Sequence, residues 1–309
     1  MNNIYDLLIV GSGPAGLNAA LYASRANLNV AFIEKSAPGG KLSATSKIEN
    51  WIGLGNMEGW QMATKFFEHA QEYGAKYIYG EVKNIINKGD FLKEIELADG
   101  SKVLSKTVLI ASGMKNKIPT FIKNIDKFID KGVSFCAICD GPIYGKTPTL
   151  VLGGGNSAVE ESVYLSKIAS EVNLVIKDTD FTAEKRLVDD LLKLDNVKIF
   201  RESQITQIEG DQRLQKATIK DKNGKLTTIE VSSFFPYIGL EPAASFAAGL
   251  GVLEENGFIL TNEEMQTKVP GIYAAGDIRV KNIRQIVTAA SDGAIAAKNI
   301  SDYLSSEKQ

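Results

Sequence analysis

The sequence predicts an α/β protein in which one nucleotide-binding domain is inserted into another. A strand, a glycine-rich turn and a helix open the chain, and the same order recurs 142 residues later, at Gly153 instead of Gly11. The last predicted elements are a lone strand and an alanine-rich helix, which must join a sheet made of strands from earlier in the chain. We therefore expect two Rossmann-like units, each a three-layer ββα arrangement around a parallel sheet.

The composition fits a folded protein of about two domains. The chain has 309 residues, against ~100–200 for a typical domain. With 35 Lys+Arg and 37 Asp+Glu, the net charge of −2 gives no global attraction to nucleic acid or anionic membranes. No apolar run reaches the ~18–20 residues of a membrane span, and the first residues lack the layout of a secretion signal. We expect a cytoplasmic protein with neither nucleic acid nor membrane as a partner.

The first unit carries a dinucleotide-binding fingerprint. An apolar run over residues 4–10 predicts a strand, the turn at residues 11–16 reads GSGPAG, and a helical pattern continues through Ala26. A second strand over residues 30–33 ends at Glu34, 23 residues after Gly11. The glycines would allow a tight turn, close approach of a pyrophosphate and close helix packing, and Glu34 would accept hydrogen bonds from a ribose.

The second copy reads GGGNSA over residues 153–158, after the apolar run Leu150–Leu152. Ala158 replaces the third glycine, and a residue this small suits the packing role. Two such sites in one chain indicate either electron transfer between two cofactors or a second copy retained only as structure.

The remaining patterns predict the domain boundaries. Antiparallel strands are expected around a turn at Asp99-Gly100 and again around Asn223-Gly224, so that each half carries a small meander beside its nucleotide-binding unit. A strand near residues 271–277 and a helix over 286–304 complete the first sheet. Residues 117–243 are therefore predicted to be inserted between 1–116 and 244–309, with two linkers that permit rotation.

The two cysteines form the sequence Cys136-Ala137-Ile138-Cys139. This spacing allows a disulfide across one helical turn, and a helix N-terminus lowers the pKa of a thiolate, so we expect a redox-active pair. Asp140 follows directly and could deliver or accept the proton. The alternative is a pair of small buried hydrophobic residues. No metal site is expected, because His69 is the single histidine and zinc would need unusual carboxylate ligands.

The chain resembles the low-molecular-weight, bacterial-type thioredoxin reductases, which are flavoproteins that pass electrons from a nicotinamide to a thioredoxin disulfide. The resemblance covers nearly the whole chain and depends on the order and spacing of several motifs. These motifs are residues 11–16, 38–42, 48–51, 111–113, 136–141, 153–161, 275–277 and 284–285.

The resemblance implies the role of each site. FAD would lie on the first fingerprint, and the inserted domain would hold the nicotinamide donor. Cys139 would face the flavin, Cys136 would exchange with thioredoxin, and Asp140 would be the acid–base residue. The candidate FAD residues are Gly11, Ser12, Gly13, Pro14, Ala15, Gly16, Glu34, Lys35, Gly40, Lys41, Leu42, Asn50, Ala111, Ser112, Gly113, Gly276, Asp277, Arg284, Gln285 and Ile286. The candidate donor residues are Gly153, Gly155, Asn156, Ser157, Ala158, Glu160, Lys177 and Asp178.

The electron donor is the point on which the sequence departs from the family. Members that use NADPH carry a His-Arg-Arg run and a further Arg, which grip the 2′-phosphate. Those positions here read Ile176-Lys177-Asp178 and Thr182, and Asp178 and Asp180 would repel that phosphate. We expect NADH to be favoured over NADPH, although Ile176, which aligns with Glu34, cannot bind a ribose. Weak use of NADPH and reduction by ferredoxin are the alternatives.

Two rivals to the main interpretation are a ferredoxin:nucleotide reductase of the same shape, whose known members lack the cysteine pair, and a flavin-binding redox sensor without turnover. The resemblance also implies a homodimer and a thioredoxin or thioredoxin-like partner.

Overall fold

The computed structural model describes residues 4–45 and 47–307. The chain divides into two compact units: unit 1 is Met1–Lys115 with Glu241–Gln309, and unit 2 is Asn116–Leu240. The first boundary lies at 115/116, where the sequence predicts 116/117, and the second lies at 240/241, where the sequence predicts 243/244.

The elements follow the predicted alternation of strands and helices. The strands are β1 (Tyr5–Val10), β2 (Val30–Glu34), β3 (Lys76–Tyr79), β4 (Val82–Gly89), β5 (Leu92–Leu97), β6 (Lys102–Ile110), β7 (Met114–Asn116), β8 (Pro148–Leu152), β9 (Glu171–Val175), β10 (Val197–Phe200), β11 (Gln204–Glu209), β12 (Lys216–Lys220), β13 (Leu226–Glu230), β14 (Ser233–Pro236), β15 (Leu240–Pro242) and β16 (Ile272–Ala274). The helices are α1 (Pro14–Arg25), α2 (Gly59–Glu72), α3 (Ala137–Asp140), α4 (Asn156–Ser166), α5 (Lys185–Leu191) and α6 (Ile286–Ser306).

The main sheet of unit 1 has the order β3-β2-β1-β6-β5-β4, and β16 also pairs with β6. The antiparallel meander expected around Asp99-Gly100 is formed by β4, β5 and β6, and it continues the main sheet. The first half of β6 pairs antiparallel with β5, and its second half pairs in parallel with β16, so one nine-residue strand serves both. The parallel part places the ends of β1, β2 and β6 at one edge.

Helices α1 and α6 pack closely on one face of this sheet. A Cβ atom on Gly293 would lie 2.1 Å from the Ala15 carbonyl oxygen, so only glycine permits this helix spacing. The Asn18 side chain donates to the Ala290 carbonyl at 2.6 Å, which ties the two helices together. The buried side chains of Leu7, Ile9 and Phe32 fill the space beneath the helices. The helix that follows the first glycine-rich turn is therefore fixed to the last helix of the chain.

Unit 2 repeats the layout on a smaller scale. Its parallel sheet has the order β10-β9-β8-β14, and β11, β12 and β13 form a separate antiparallel sheet with Asn223-Gly224 at the second turn. The apolar strands β8 and β9 are buried on both faces, as expected for strands covered by helices. Within the described parts of the chain, no helix is long and apolar enough to cross a membrane.

Candidate nucleotide and disulfide sites

The first glycine-rich turn forms an open cradle at the start of α1. Gly13 precedes α1 and caps it with no side chain, so the first backbone N–H groups are free to bind an anion. Gly11 has a φ of +102°, and a Cβ atom there would lie 2.6 Å from the Ala111 carbonyl oxygen. A Cβ atom on Gly13, in contrast, would meet no atom of the described chain within 4 Å. The cradle therefore has room for a pyrophosphate beside Gly13, with Pro14, Ala15 and Gly16 forming the first helical turn behind it.

Glu34 lies at the end of β2 and reaches the glycine-rich turn. Its Oε2 accepts hydrogen bonds from the Ser12 backbone N–H at 3.1 Å and the Ser12 hydroxyl at 3.0 Å. Its Oε1 accepts from the backbone N–H groups of Lys35 and Ser36 at 2.9 and 3.2 Å. The Lys35 side chain extends away to pair with Glu81 at 2.7 Å. The carboxylate is thus held at the position where a fingerprint of this kind binds a ribose.

The loop of residues 39–42 covers the other side of the cradle. The Gly39 N–H donates to the Ser12 carbonyl at 2.9 Å, and a Cβ atom on Gly40 would lie 3.2 Å from the Gly13 Cα atom. Leu42 is buried and anchors the loop. Desolvation lowers the pKa of Lys41 to about 8, although the negative charge of Asp277 acts in the opposite direction.

Two buried polar atoms near the carboxyl ends of β6 and β16 lack a protein partner. They are Ser112 Oγ and Asp277 Oδ1, neither of which has a hydrogen bond within residues 4–45 and 47–307. Buried polar groups are normally satisfied, so both atoms are available to hydrogen-bond a bound ligand. Ala111 and Gly113 flank Ser112, and Gly276, with a φ of +79°, precedes Asp277. The free acceptor of Asp277 suits a ribityl hydroxyl.

Asn50 and Gln285 meet although 235 residues separate them. The Asn50 side-chain amide donates to Gln285 Oε1 at 2.8 Å. Gln285 caps α6 through a capping box with Thr288, and Ile286 begins the helix. Arg284 donates to the Asp277 carbonyl at 3.4 Å. The open cradle, the two unpartnered buried oxygens and this amide pair are features that fit FAD.

Unit 2 contains a cavity of about 810 Å³ over the second glycine-rich turn. Of the candidate donor residues, Gly153, Gly155, Asn156, Ser157, Ala158, Lys177 and Asp178 line this cavity. Glu160 lies on α4 but does not line it. The position of the cavity beyond the carboxyl ends of β8 and β9 is typical of dinucleotide sites.

The segment after β9 replaces the basic run of NADPH-binding relatives. Strand β9 ends at Val175, and the Ile176 side chain is 1% exposed and packs in the core. Asp178 and Asp180 line the cavity instead. Arg201, which the sequence interpretation missed, donates to the Thr179 carbonyl at 2.5 Å and lies 5.0 Å above the Phe181 ring. Only the fold brings Arg201 here, since it follows β10.

The cysteine pair lies at the start of the short helix α3. Cys136 and Cys139 are joined by a disulfide bond; Cys139 is exposed and Cys136 is half-buried. The Ser134 hydroxyl donates to Asp140 Oδ2 at 2.5 Å, and the Cys136 N–H donates to the Ser134 oxygen at 3.1 Å. Ser134 is a second residue that sequence interpretation missed; its only signal is a hydroxyl two residues before a cysteine.

Comparisons with known proteins identify the family of the chain. The family model described as pyridine nucleotide-disulphide oxidoreductase matches residues 5–293. The chain belongs to this family. The thioredoxin reductase of Mycoplasmopsis pulmonis is 53% identical, with 98% of each chain covered. The thioredoxin reductase of Bacillus subtilis is 38% identical over 97% of this chain and 95% of that protein. The crystal structure of Lactococcus lactis thioredoxin reductase matches with a TM-score of 0.91 and 34% identity, covering 98% of this chain and 99% of that chain.

These similarities confirm three expectations from the sequence. The resemblance to the bacterial-type thioredoxin reductases is correct, the fold class is that of a two-domain nucleotide-binding α/β protein, and the chain is an oxidoreductase. The family implies FAD and a nicotinamide nucleotide as cofactors. The thioredoxin reductase interpretation is favoured over the ferredoxin-linked and sensor alternatives.

Proposed function

We propose that this protein is a thioredoxin reductase that takes electrons from NADH, in preference to NADPH, and delivers them through FAD and the Cys136–Cys139 disulfide to a thioredoxin. The observation that carries the proposal is that unit 2 holds both a formed Cys136–Cys139 disulfide and a dinucleotide-sized cavity whose wall includes two carboxylates.

The residues around the cradle in unit 1 would hold the flavin nucleotide. The free N–H groups at the start of α1 would bind its phosphates, Glu34 would bind the ribose, and Asp277 would accept from the ribityl chain. The amide pair of Asn50 and Gln285 would hold the flavin ring. When bound, FAD supplies the two-electron chemistry that joins a nicotinamide to a disulfide.

The two cysteines of this chain can carry out the exchange with thioredoxin once the donor has reduced their disulfide. Two electrons and two protons, supplied overall by NADH and one proton, convert Cys136–Cys139 to two thiols. The Cys136 thiolate attacks the thioredoxin disulfide, whose S–S bond breaks as a mixed disulfide forms and one thioredoxin sulfur leaves. The Cys139 thiolate then attacks Cys136 Sγ, which re-forms the disulfide and releases the second thioredoxin thiol.

Asp140 is the residue that moves the proton in this exchange. Its carboxyl group lies on the same helix as Cys139, and the Ser134 hydroxyl holds its Oδ2. A carboxylate in this position takes a proton from the thiol that attacks and returns it to the sulfur that leaves. Ser134 fixes the carboxylate relative to the Cys136 backbone.

The preference for NADH follows from the charges on the cavity wall. A 2′-phosphate needs cations, whereas Asp178 stands where relatives that use NADPH carry arginine, and Asp180 adds a second negative charge to the cavity wall. Arg201 is already engaged by the Thr179 carbonyl, with Asp180 at 3.8 Å. Asp178 lines the cavity two residues beyond the buried Ile176, and we propose it as the acceptor for the ribose hydroxyls of NADH.

Anaerobic bleaching of the flavin absorbance tests this proposal. NADH, NADPH and reduced ferredoxin are added in parallel to the holoenzyme at equal concentration, and the rate of bleaching is measured. We expect NADH to be fastest. Faster bleaching by NADPH would overturn the donor assignment. Bleaching by reduced ferredoxin, with none by either nucleotide, would show that the electron donor is a protein.

Turnover with thioredoxin separates the enzyme from a redox sensor. With NADH in excess, the native chain should reduce many equivalents of thioredoxin, whereas the variants Cys136→Ser and Cys139→Ser should reduce none and still bleach. A single equivalent of electrons, without cycling, would identify a sensor.

Family resemblance supports two further proposals. We propose a homodimer, which sedimentation of the holoenzyme at micromolar concentration would test. We also propose a cytoplasmic location, because a cysteine pair that must cycle to the thiol form suits a reducing compartment. Fractionation of cells that express the chain would test this.

A further inference from the structure

We propose that Asp292, on α6, is a positioning residue that holds the Gly276-Asp277 turn in the form that binds FAD. This inference uses the flavin site of unit 1 and is independent of the identity of the donor and of thioredoxin.

Three donors from the turn after β16 converge on one oxygen of Asp292. Its Oδ2 accepts the Gly276 N–H at 3.0 Å, the Lys281 ammonium at 2.8 Å and the Arg279 guanidinium at 3.0 Å. A side chain on the last helix therefore fixes the start and the end of a six-residue turn.

This network is shielded from solvent. The Asp292 side chain is 9% exposed, and those of Arg279 and Lys281 are each 13% exposed. A charge removed from water needs a partner, and loss of one partner leaves the others uncompensated. Asp292 thus restrains the turn far more strongly than an exposed ion pair would.

The restrained turn carries the carboxylate that the flavin needs. Asp277 follows Gly276 directly, and its Oδ1 is buried without a partner within residues 4–45 and 47–307. Gly276 has a φ of +79°, and a Cβ atom there would lie 3.0 Å from the Ala15 Cβ atom, so the turn also abuts α1. The hydrogen bond from the Gly276 N–H to Asp292 Oδ2 therefore helps to orient Asp277.

Helix α6 also fixes the phosphate end of the same site. The residue after Asp292 is Gly293, which lies against the Ala15 backbone at the start of α1. Consecutive residues of one helix thus contact the turn that holds the ribityl chain and the helix that binds the phosphates. This arrangement sets the distance between the two ends of the cofactor.

Loss of the Asp292 charge would create a competitor for the cofactor. Lys281 lies close enough to Asp277 for its positive charge to act on that carboxyl, together with Lys41 and Arg284. Without Asp292, we expect the Lys281 ammonium to turn to Asp277, on whose carboxyl group its charge already acts, and to occupy the oxygen that would accept the ribityl hydroxyl.

The test is FAD release from the holoenzyme of an Asp292→Asn variant. Free FAD is separated by ultrafiltration and measured by fluorescence, which gives a dissociation constant without any assay of activity. We expect this constant to rise on the order of 10- to 100-fold, as for loss of a buried charged partner. The matched control is Asp302→Asn on the same helix, whose exposed pair with Lys298 lies away from the turn; it should change the constant less than twofold.

A double variant distinguishes positioning from general loss of stability. In Asp292→Asn/Lys281→Met the competing cation is gone, and we expect at least a threefold recovery of FAD affinity relative to Asp292→Asn. If the single variant folds poorly, the FAD affinity of the double variant can be compared directly with that of the native chain. Unchanged FAD affinity in Asp292→Asn, or an equal loss in Asp302→Asn, would overturn the proposal. A further loss in the double variant would do the same.

Discussion

The Ser134 hydroxyl donates a hydrogen bond of 2.5 Å to Asp140 Oδ2, and its oxygen accepts one of 3.1 Å from the Cys136 N–H. A buried serine thus connects the proposed acid–base carboxylate to the backbone of Cys136, the cysteine that we propose to exchange with thioredoxin. Ser134 is 7% exposed, so water competes little for these bonds. These two bonds therefore hold the Asp140 carboxylate in a defined position relative to the Cys136 backbone.

Replacement of Ser134 by alanine should slow thioredoxin reduction without affecting the flavin. The Asp140 carboxylate would lose a hydrogen bond that a charged acceptor strengthens, which is worth about 1.5–3 kcal/mol. We expect kcat for thioredoxin to fall about tenfold, and its pH profile to shift, while flavin bleaching by NADH stays native. The control is Ser166→Ala, because the hydroxyl of this serine donates to the Val163 carbonyl of its own helix α4. An unaltered pH profile in Ser134→Ala would contradict the role given to this contact.

Arginine at the positions of the missing basic run should reverse the donor preference. The double substitution Asp178→Arg/Thr182→Arg removes a negative charge from the cavity wall and adds two guanidinium groups that can bind a phosphate. We expect the ratio of kcat/KM for NADPH over NADH to rise at least 100-fold. Asp189→Arg, on the exposed part of α5, changes the net charge by the same sign outside the cavity. A similar rise in that control would show that bulk charge, and not the cavity, selects the donor.

Alanine substitutions at two glycines of the first turn should have different effects, one on folding and one on FAD binding. A Cβ atom on Gly16 would lie 2.0 Å from the Gly11 carbonyl oxygen, so Gly16→Ala should destabilise the fold itself. Gly13→Ala meets no described protein atom within 4 Å, and its methyl group would occupy only the cradle. We expect Gly13→Ala to give a folded chain that binds FAD at least tenfold more weakly, by circular dichroism and ultrafiltration. Native FAD affinity in Gly13→Ala would show that the phosphates lie elsewhere.

The buried Glu161 makes the stability of the protein depend on pH. Burial, with a contribution from Glu160, raises the pKa of Glu161 to about 8. The folded chain therefore keeps a proton that the unfolded chain releases near pH 4.5. The contribution of Glu161 to the free energy of unfolding therefore falls as pH rises from about 5 to 8, and it changes little at higher pH.

Glu161→Gln removes this dependence, since glutamine carries no charge at any pH. We expect the variant to unfold like the native chain at pH 5 and to be more stable by roughly 2–4 kcal/mol at pH 8 and above. Thermal unfolding at several pH values measures the difference. Glu230→Gln, which removes an exposed carboxylate of the same unit, is the comparison. A difference that does not grow with pH would refute the assignment.

Much of the fold could be predicted because local patterns carry it. Alternating strands and helices follow from apolar runs and glycine-rich turns, and the turn at residues 11–16 requires glycine for reasons visible in the sequence. The course of β6 could not be predicted in this way, because its two halves pair with strands from different parts of the chain. Arg201 and Ser134 were missed for a similar reason, since neither belongs to a motif.

The sequence by itself determined the two glycine-rich turns, the disulfide spacing and the absence of the basic run after β9, because each depends on residues within a few positions of one another. The tertiary structure decided which distant groups meet. It joined Asn50 to Gln285, gathered Gly276, Arg279 and Lys281 onto Asp292, and left Asp277 with a free acceptor. The physical reason is that the sequence gives the chemical identity of each side chain, whereas its burial and its hydrogen-bond partners depend on how helices and strands pack.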